Sequence, residues 1–320
     1  SVFDAEGNLI PAELHLIGDV LAYVIDDREA RYPLTIDPTF VQQAYVKASN
    51  TGPGDEFGYS VDVDGNTAVV GAWLEDGCGT GSTGDDSDNS CEAAGAAYVF
   101  FNDGSSWTQQ AYLKSSDTTA GPVTDVGDFF GESVAISGDT VVVGARRAEI
   151  NGVRTGAAYV FARQSGVWTP ETTLVASNAE GGDAFGVSVS ISGDTVIVGA
   201  QSEASSATGV NGDQNDNGAF QSGAAYVFFR DAGTWVQQAY LKPAEPWVLG
   251  NFGSSVSVSG DLAVIGSFGD DSCATGIDGD PTNGTCEAAG AAYIFSRSAG
   301  SWNLSTYLKA SNAEAGDGFG

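Results

Sequence analysis

The sequence predicts an all-β chain built from repeated four-stranded units, the pattern of β-propeller blades. Three observations predict it. The stretch FGVSVSISGDTVIVGA at 185–200 recurs as FGYSVDVDGNTAVVGA (57–72), FGESVAISGDTVVVGA (130–145) and FGSSVSVSGDLAVIGS (252–267), and a fifth copy begins at Phe319-Gly320. Within it, apolar residues alternate on both sides of a two-residue turn: Val189 and Ile191, then Gly193-Asp194, then Val196 and Val198. No stretch sustains a 3.6-residue apolar period, and 44 glycines suit short strands and tight turns better than helices.

Taken in order, residues 1–39 lack the repeat. They read as short strands at 13–17, 20–25 and 32–36, with Gly18-Asp19 as a turn and Asp37-Pro38 closing the segment. This is either the end of a preceding β domain or a set of lead-in strands; the repeats fill 40–320. In the third unit the four strands are expected at 171–177, 187–192, 195–200 and 223–230. The lead strands of the other units are QQAYVKASN (42–50), QQAYLKSSD (109–117), QQAYLKPAE (237–245) and STYLKASN (305–312). The closing strands are GAAYVF from Gly95, Gly156 and Gly223, and GAAYIF from Gly290. Glycine at the first turn position suits a type II′ hairpin.

Two sets of repeated residues invite a functional reading. Lys47, Lys114, Lys242 and Lys309 share one position, taken by Val175 in the third unit. A strand position whose stem packs while the ammonium stays in water is the expected role; a ring gripping an anion is the competing one. Trp107, Trp168, Trp235 and Trp302 also share a position, which reads as packing between blades more than as sugar platforms. The units differ mainly in the connection before the GAAY strand. It is long at 73–94, 201–222 and 268–289 and short at 146–155, and long Gly-, Asp- and Asn-rich connections are where function concentrates.

Cys78 and Cys91 lie 13 positions apart, as do Cys273 and Cys286, at the same place in the repeat. Two disulfides, each within one loop, are expected, and they imply an oxidising, extracellular compartment. A zinc site is the alternative, but the only histidine is His15 and the spacing is not of the CxxC kind. The net charge of −30 argues against nucleic acid as a partner. No apolar run approaches the roughly 20 residues that span a bilayer. The chain has no initiator methionine and no signal peptide, so it reads as a processed or partial product.

With FG, VGA and GAAYVF in register four times, the chain resembles FG-GAP repeat proteins over about 40–320, in a form similar to bacterial secreted members and related to the seven-bladed propeller of integrin α subunits. The resemblance implies about three further repeats, or partner chains, to close a ring. It does not bring the integrin calcium loops with it, because the connections Asp64-Gly65, Gly138-Asp139, Gly193-Asp194 and Gly260-Asp261 are too short to wrap a cation. Calcium has another candidate site in Asp213, Asn215 and Asn217, which alternate ahead of Gly218, although Ala224 stands where a twelfth-position acid is expected. The clusters Asp85, Asp86 and Asp88, and Asp278 with Asp280, are weaker versions.

No Ser-His-Asp or Cys-His arrangement can form from these residues, and nothing singles out a carboxylate pair among 42 acids. The expected function is therefore a secreted or surface-displayed module for binding, adhesion or assembly, engaging a protein, a glycan or further copies of itself through its variable loops. The alternative is a carbohydrate-binding or carbohydrate-active propeller, with Trp73 and Trp247, the tryptophans outside the repeated position, as sugar platforms.

Overall fold

A computed structural model describes residues 2–17, 20–28, 30–36, 42–82, 87–116 and 127–320. The chain divides into two compact units, residues 1–46 and residues 47–320. In the first, Val2–Phe3 pairs with Leu9–Ile10 and with Thr35–Ile36, and Ala12–Ile17 pairs with Val20–Ile25. The strand expected at 32–36 is reduced to its last two residues, because Pro33 has no N–H to give a ladder. The Gly18-Asp19 turn and Asp37-Pro38 lie outside the described residues.

The second unit holds four antiparallel four-stranded sheets, and no helix occurs among the described residues. Sheet 1 is Ser60–Asp64, Thr67–Ala72, Ala96–Asn102 and Trp107–Leu113; sheet 2 is Ser133–Ser137, Thr140–Ala145, Ala157–Gln164 and Val167–Leu174. Sheet 3 is Phe185–Ser192, Thr195–Ala200, Ala224–Asp231 and Thr234–Leu241; sheet 4 is Phe252–Ser259, Leu262–Ser267, Ala291–Ser298 and Ser301–Leu308. In each the strands are ordered as they occur in the chain.

This order corrects the expected strand grouping. The QQAYLK-type strand does not lead the next unit: it closes the sheet before it, pairing with the GAAY strand as in Tyr98↔Tyr112 and Tyr226↔Tyr240. The strand expected at 171–177 accordingly belongs to sheet 2, as Val167–Leu174. The copy at 42–50 forms no strand, and Tyr45 is exposed there. The hairpin turns carry φ near +56° at Gly138 and Gly193, followed by residues with negative φ, as a type II′ turn requires. In sheet 1 Asp64 pairs with Thr67, so the turn is Gly65-Asn66, one residue later than the expected Asp64-Gly65.

Consecutive sheets stack face to face, and the motif residues explain how. One core joins Val134, Ile136, Val141 and Val143 of sheet 2 to Val69 and Val99 of sheet 1; two more join sheets 2 to 3 and 3 to 4. Each such valine removed from water contributes about 1.5–3 kcal/mol. The VGA and FG glycines let the backbones approach: a Cβ on Gly144 would lie 2.0 Å from the carbonyl oxygen of Gly186. The same carbonyl accepts the Ser133 hydroxyl at 2.9 Å, and Ser60 and Ser188 repeat this contact with Gly131 and Gly253.

The repeated tryptophans are part of this stacking. Trp168 and Trp302 are buried, and their Nε1 atoms donate to Gln110 and Gln238 of the preceding sheet. Arg163, Arg230 and Arg297 lie over the rings of Trp168, Trp235 and Trp302 at 5.0–5.1 Å. Each also pairs with the aspartate of its own hairpin turn and donates to a threonine of the sheet before it: Arg163 to Thr67, Arg230 to Thr140, Arg297 to Thr195.

Candidate functional site

The three long connections each have 22 residues, against ten for 146–155. All join the VGA strand to the GAAY strand, so they gather at one end of the stacked sheets. Their conformation is set from inside. Three residues past the VGA strand stands a buried acid, Glu75, Glu203 or Asp270, and it faces the lysine of the fourth strand. Lys114 Nζ lies 2.9 Å from Glu75, Lys242 Nζ 2.9 Å from Glu203 and Lys309 Nζ 3.3 Å from Asp270, with all six side chains at 0–2% exposure.

This overturns the expectation that the lysines end in water. The strand position points into the loop base, where an acid 39 residues earlier in the chain receives the ammonium; only Lys47, which has no sheet partner strand, is exposed. Desolvation pulls the Lys114 and Lys242 pKa values below the ordinary lysine range, against the opposing pull of Glu75 and Glu203.

Each acid has further partners. The hydroxyls of Tyr112, Tyr240 and Tyr307 donate to it at 2.9–3.0 Å, and burial drives the phenols of Tyr240 and Tyr307 upward. Asn50 donates to Glu75 at 2.8 Å and accepts from Tyr98 at 2.7 Å; Asn178 accepts from Tyr226 in the same way. In sheet 4 the shorter Asp270 takes Tyr293 directly at 2.8 Å. The tip of each loop then returns to the lysine backbone: the N–H groups of Lys114, Lys242 and Lys309 donate to the carbonyls of Gly81, Gly209 and Gly276 at 2.7–2.8 Å.

Both disulfides form, Cys78–Cys91 and Cys273–Cys286, each with Cα atoms 5.0 Å apart. Sheet 3 has Ser206 and Ala219 at the two cysteine positions. There Ser206 donates to Asp216, and the Ala219 N–H donates to the Ala204 carbonyl at 2.8 Å, as Cys91 does to Asp76. Sheet 2 lacks the whole arrangement: Ala148, Thr173 and Val175 stand in place of acid, tyrosine and lysine, and its connection is a small hairpin, Glu149–Ile150 with Val153–Arg154.

The residues read as calcium ligands lie on the sheet 3 loop. Asp213, Asn215 and Asn217 are exposed; Asp213 Oδ1 accepts the Asn215 N–H at 3.0 Å, and the Asn217 amide donates to Glu180 at 2.9 Å. With Asp216 engaged by Ser206, a cation here would compete with bonds already made. Among the described residues no three His, Cys, Asp or Glu side chains gather with metal-ligand spacing. Asp85 and Asp86 lie outside the described residues. Asp88 accepts from Ser90, Asp278 from the Tyr307 N–H and Asp280 from Thr282.

The two candidate sugar platforms differ. Trp73 is half-buried, donates to Glu56 at 2.7 Å and stands between Tyr59 at 5.2 Å and Phe129 at 4.7 Å. Trp247 has its ring packed on Gly284, where a Cβ would come within 2.3 Å, so it supports the disulfide loop of sheet 4. Its buried Nε1 has no hydrogen-bond partner among the described residues. Beyond Phe129 lie Arg146 and Arg147, their guanidinium carbons 5.2 and 5.3 Å from its ring centre. Arg146 Nε is 3.0 Å from Glu132, whose burial lifts its carboxyl to about 7 against the pull of Arg146.

Fold and site together define an all-β repeat protein that mounts stiff, variable loops at one end of its sheets. A family profile described as FG-GAP repeat matches residues 40–100, 107–161, 168–228 and 235–295, and the chain belongs to that family. The matches from 107, 168 and 235 open on a fourth strand and all four end in a GAAY strand, so every sheet takes three strands from one match and its last strand from the residues that follow. No curated protein matches the chain.

Proposed function

We propose that the chain is a binding module of β-propeller type, working outside the cell or at its surface, which holds a protein or glycan with its mounted loops and catalyses no reaction. The carrying observation is that three equal-length connections are anchored at base and tip by the same bonds while the residues between differ. Rigid mounting of variable loops lowers the ordering cost of binding. The disulfides fit an oxidising compartment, and the loop-base acids Glu75, Glu203 and Asp270 are committed to lysine and tyrosine partners. Trp73 beside Tyr59 and Phe129 favours a carbohydrate as the ligand.

The propeller reading is supported by the two end faces. Val61 and Val63 of sheet 1 are 65% and 62% exposed, whereas Val134 and Ile136, at the same positions of sheet 2, are 8% and 5%. Val264 of sheet 4 is 39% exposed, whereas Ile197 is fully buried. Further sheets of this kind, from the same chain or another copy, fit both faces. A stable, monodisperse monomer of these 320 residues in sedimentation would overturn that part of the reading. Calcium in the Asp213 loop is a separate proposal: titration should lose a site when Asp213 and Asp216 are both changed to Ala.

A glycan array and an extracellular-protein panel, with hydrolysis read in parallel, test the function. Binding should appear and should fall when the 201–222 loop is replaced by the ten residues of 146–155. Turnover of a glycan would overturn the reading, and so would binding that survives shortening of all three loops.

A further inference from the structure

In a chain with 12 basic residues against 42 acidic ones, the place of each cation is informative. Within residues 47–320, Lys114, Lys242 and Lys309 are held in buried ion pairs, and Arg163, Arg230 and Arg297 in the clamp between sheets. Lys47 is exposed. Three further cations, Arg146, whose Nε is held by Glu132 at 3.0 Å, Arg147 and Arg154, line one open cleft of about 350 Å³.

The cleft borders the single short connection. Arg146 and Arg147 directly follow the VGA strand of sheet 2, where sheet 1 has Trp73 and Leu74 and sheet 3 has Gln201 and Ser202. Arg154 comes from the small hairpin, and Gln201 and Ser202 complete part of the lining. The cationic character is thus not inherited from the repeat; it is peculiar to the sheet without the lysine–acid pair.

Arginine forks match carboxylate and sulfate oxygens two at a time, and guanidinium groups stacked on an aromatic ring are held in place with their edges available for such bonds. Phe129 provides that ring for Arg146 and Arg147. The aromatic row continues away from the cleft through Trp73 to Tyr59, which is 55% exposed. The net charge of −30 disfavours a densely charged polymer and leaves room for a ligand with one anionic group. A volume of this size takes one or two sugar rings.

We propose that this cleft binds a saccharide bearing a single oxyanion, a carboxylate or a sulfate, with Arg146, Arg147 and Arg154 taking the anion and Trp73 with Tyr59 flanking the adjoining ring. The inference rests on the binding-module reading above and names its ligand class.

Calorimetry at low ionic strength with sodium glucuronate, sodium sulfate and neutral glucose tests it. Glucuronate, sulfate or both should bind the wild type more tightly than glucose, and affinity should fall at least tenfold in Arg146→Gln/Arg147→Gln. Glucuronate alone would assign the site to carboxylates and sulfate alone to sulfate esters. Equal affinity in wild type and variant, or no oxyanion binding, overturns the proposal. Arg147→Gln alone, checked by thermal melting, serves if the double variant does not fold. The two readings fail separately. Array binding retained without oxyanion binding sinks only this site; oxyanion binding retained with an empty array sinks only the loop-module reading.

Discussion

Sheets 2 and 3 solve the same folding problem with different interiors at the loop end. Both pair the same strands in the same order, and both carry the same bulge before the GAAY phenylalanine, at Val160/Phe161 and Val227/Phe228. Sheet 3 buries Glu203, Tyr240 and Lys242 under a 22-residue connection; sheet 2 has Ala148, Thr173 and Val175 beneath ten residues. The sheet therefore does not need the ion pair. Burying two charges costs solvation that their attraction need not fully return, and sheet 2 fills the place with the small uncharged Ala148, Thr173 and Val175. What the pair supplies is an anchor of fixed direction, present wherever there is a long loop to hold.

The sharpest way to break this comparison is to remove one charge. Lys242→Ala leaves Glu203 buried without its cation and strips the bonds that Lys242 makes to Ser222 and Gly223, and denaturant unfolding should show a loss of about 3–5 kcal/mol. The sheet 2 solution, Glu203→Ala with Tyr240→Thr and Lys242→Val, should recover most of that loss while the 201–222 loop gains protease sensitivity. A triple variant as unstable as the single one would show that the pair does more than mount the loop.

A second test uses the disulfides, which the sheet 3 loop does without. Cys78→Ser/Cys91→Ala, which copies the sheet 3 residues, should cost about 3 kcal/mol on the chain-entropy estimate, with the sheet intact. Mass spectrometry of a non-reduced digest checks the pairing itself; cross-loop pairs would contradict it.

The smallest effect sets sheet 2 apart by pH. Glu132 titrates at about 7 and Asp183 at about 6, both raised by burial above their unfolded values. The native state then holds more protons than the unfolded chain between about pH 4 and 7. The stability these groups contribute is complete below that window and is lost as pH rises through the native values. For Glu132 the change is up to about 3 kcal/mol, less what Arg146 and solvent screen. Glu132→Gln should flatten the unfolding profile over pH 5–8; an unchanged slope would mean the group ionises freely.

Much of this was legible in the sequence. The hairpins showed through their period-2 alternation around glycine, and the cysteine pairs through a shared spacing. The sheet to which each QQAYLK strand belongs was misread, because a unit cut at its tandem motif straddles two sheets. The turn at Ser165-Gly166, between the GAAY strand and Val167–Leu174, held the needed hairpin signal. The lysines were misread for a different reason: strand lysines next to polar residues look solvated, and their acids stand 39 residues upstream. The signal was there in what sheet 2 lacks, since acid, tyrosine and lysine disappear together. The arginine cleft escaped because Arg146, Arg147 and Arg154 follow no repeat at all.

The arginine clamp between sheets makes the stack a one-way structure. The later sheet always brings the guanidinium and the earlier one the hydroxyl, at Thr67, Thr140 and Thr195. Two positions depart from this rule: sheet 4 has Leu262 at the threonine position, and sheet 1 has Asn102 at the arginine position. A neighbour arriving on sheet 4 with an arginine would press its charge against leucine methyls, whereas one built like sheet 1 would bring only an amide. The clamp thus discriminates by side chain: a sheet stacked on Leu262 meets no hydroxyl to receive an arginine.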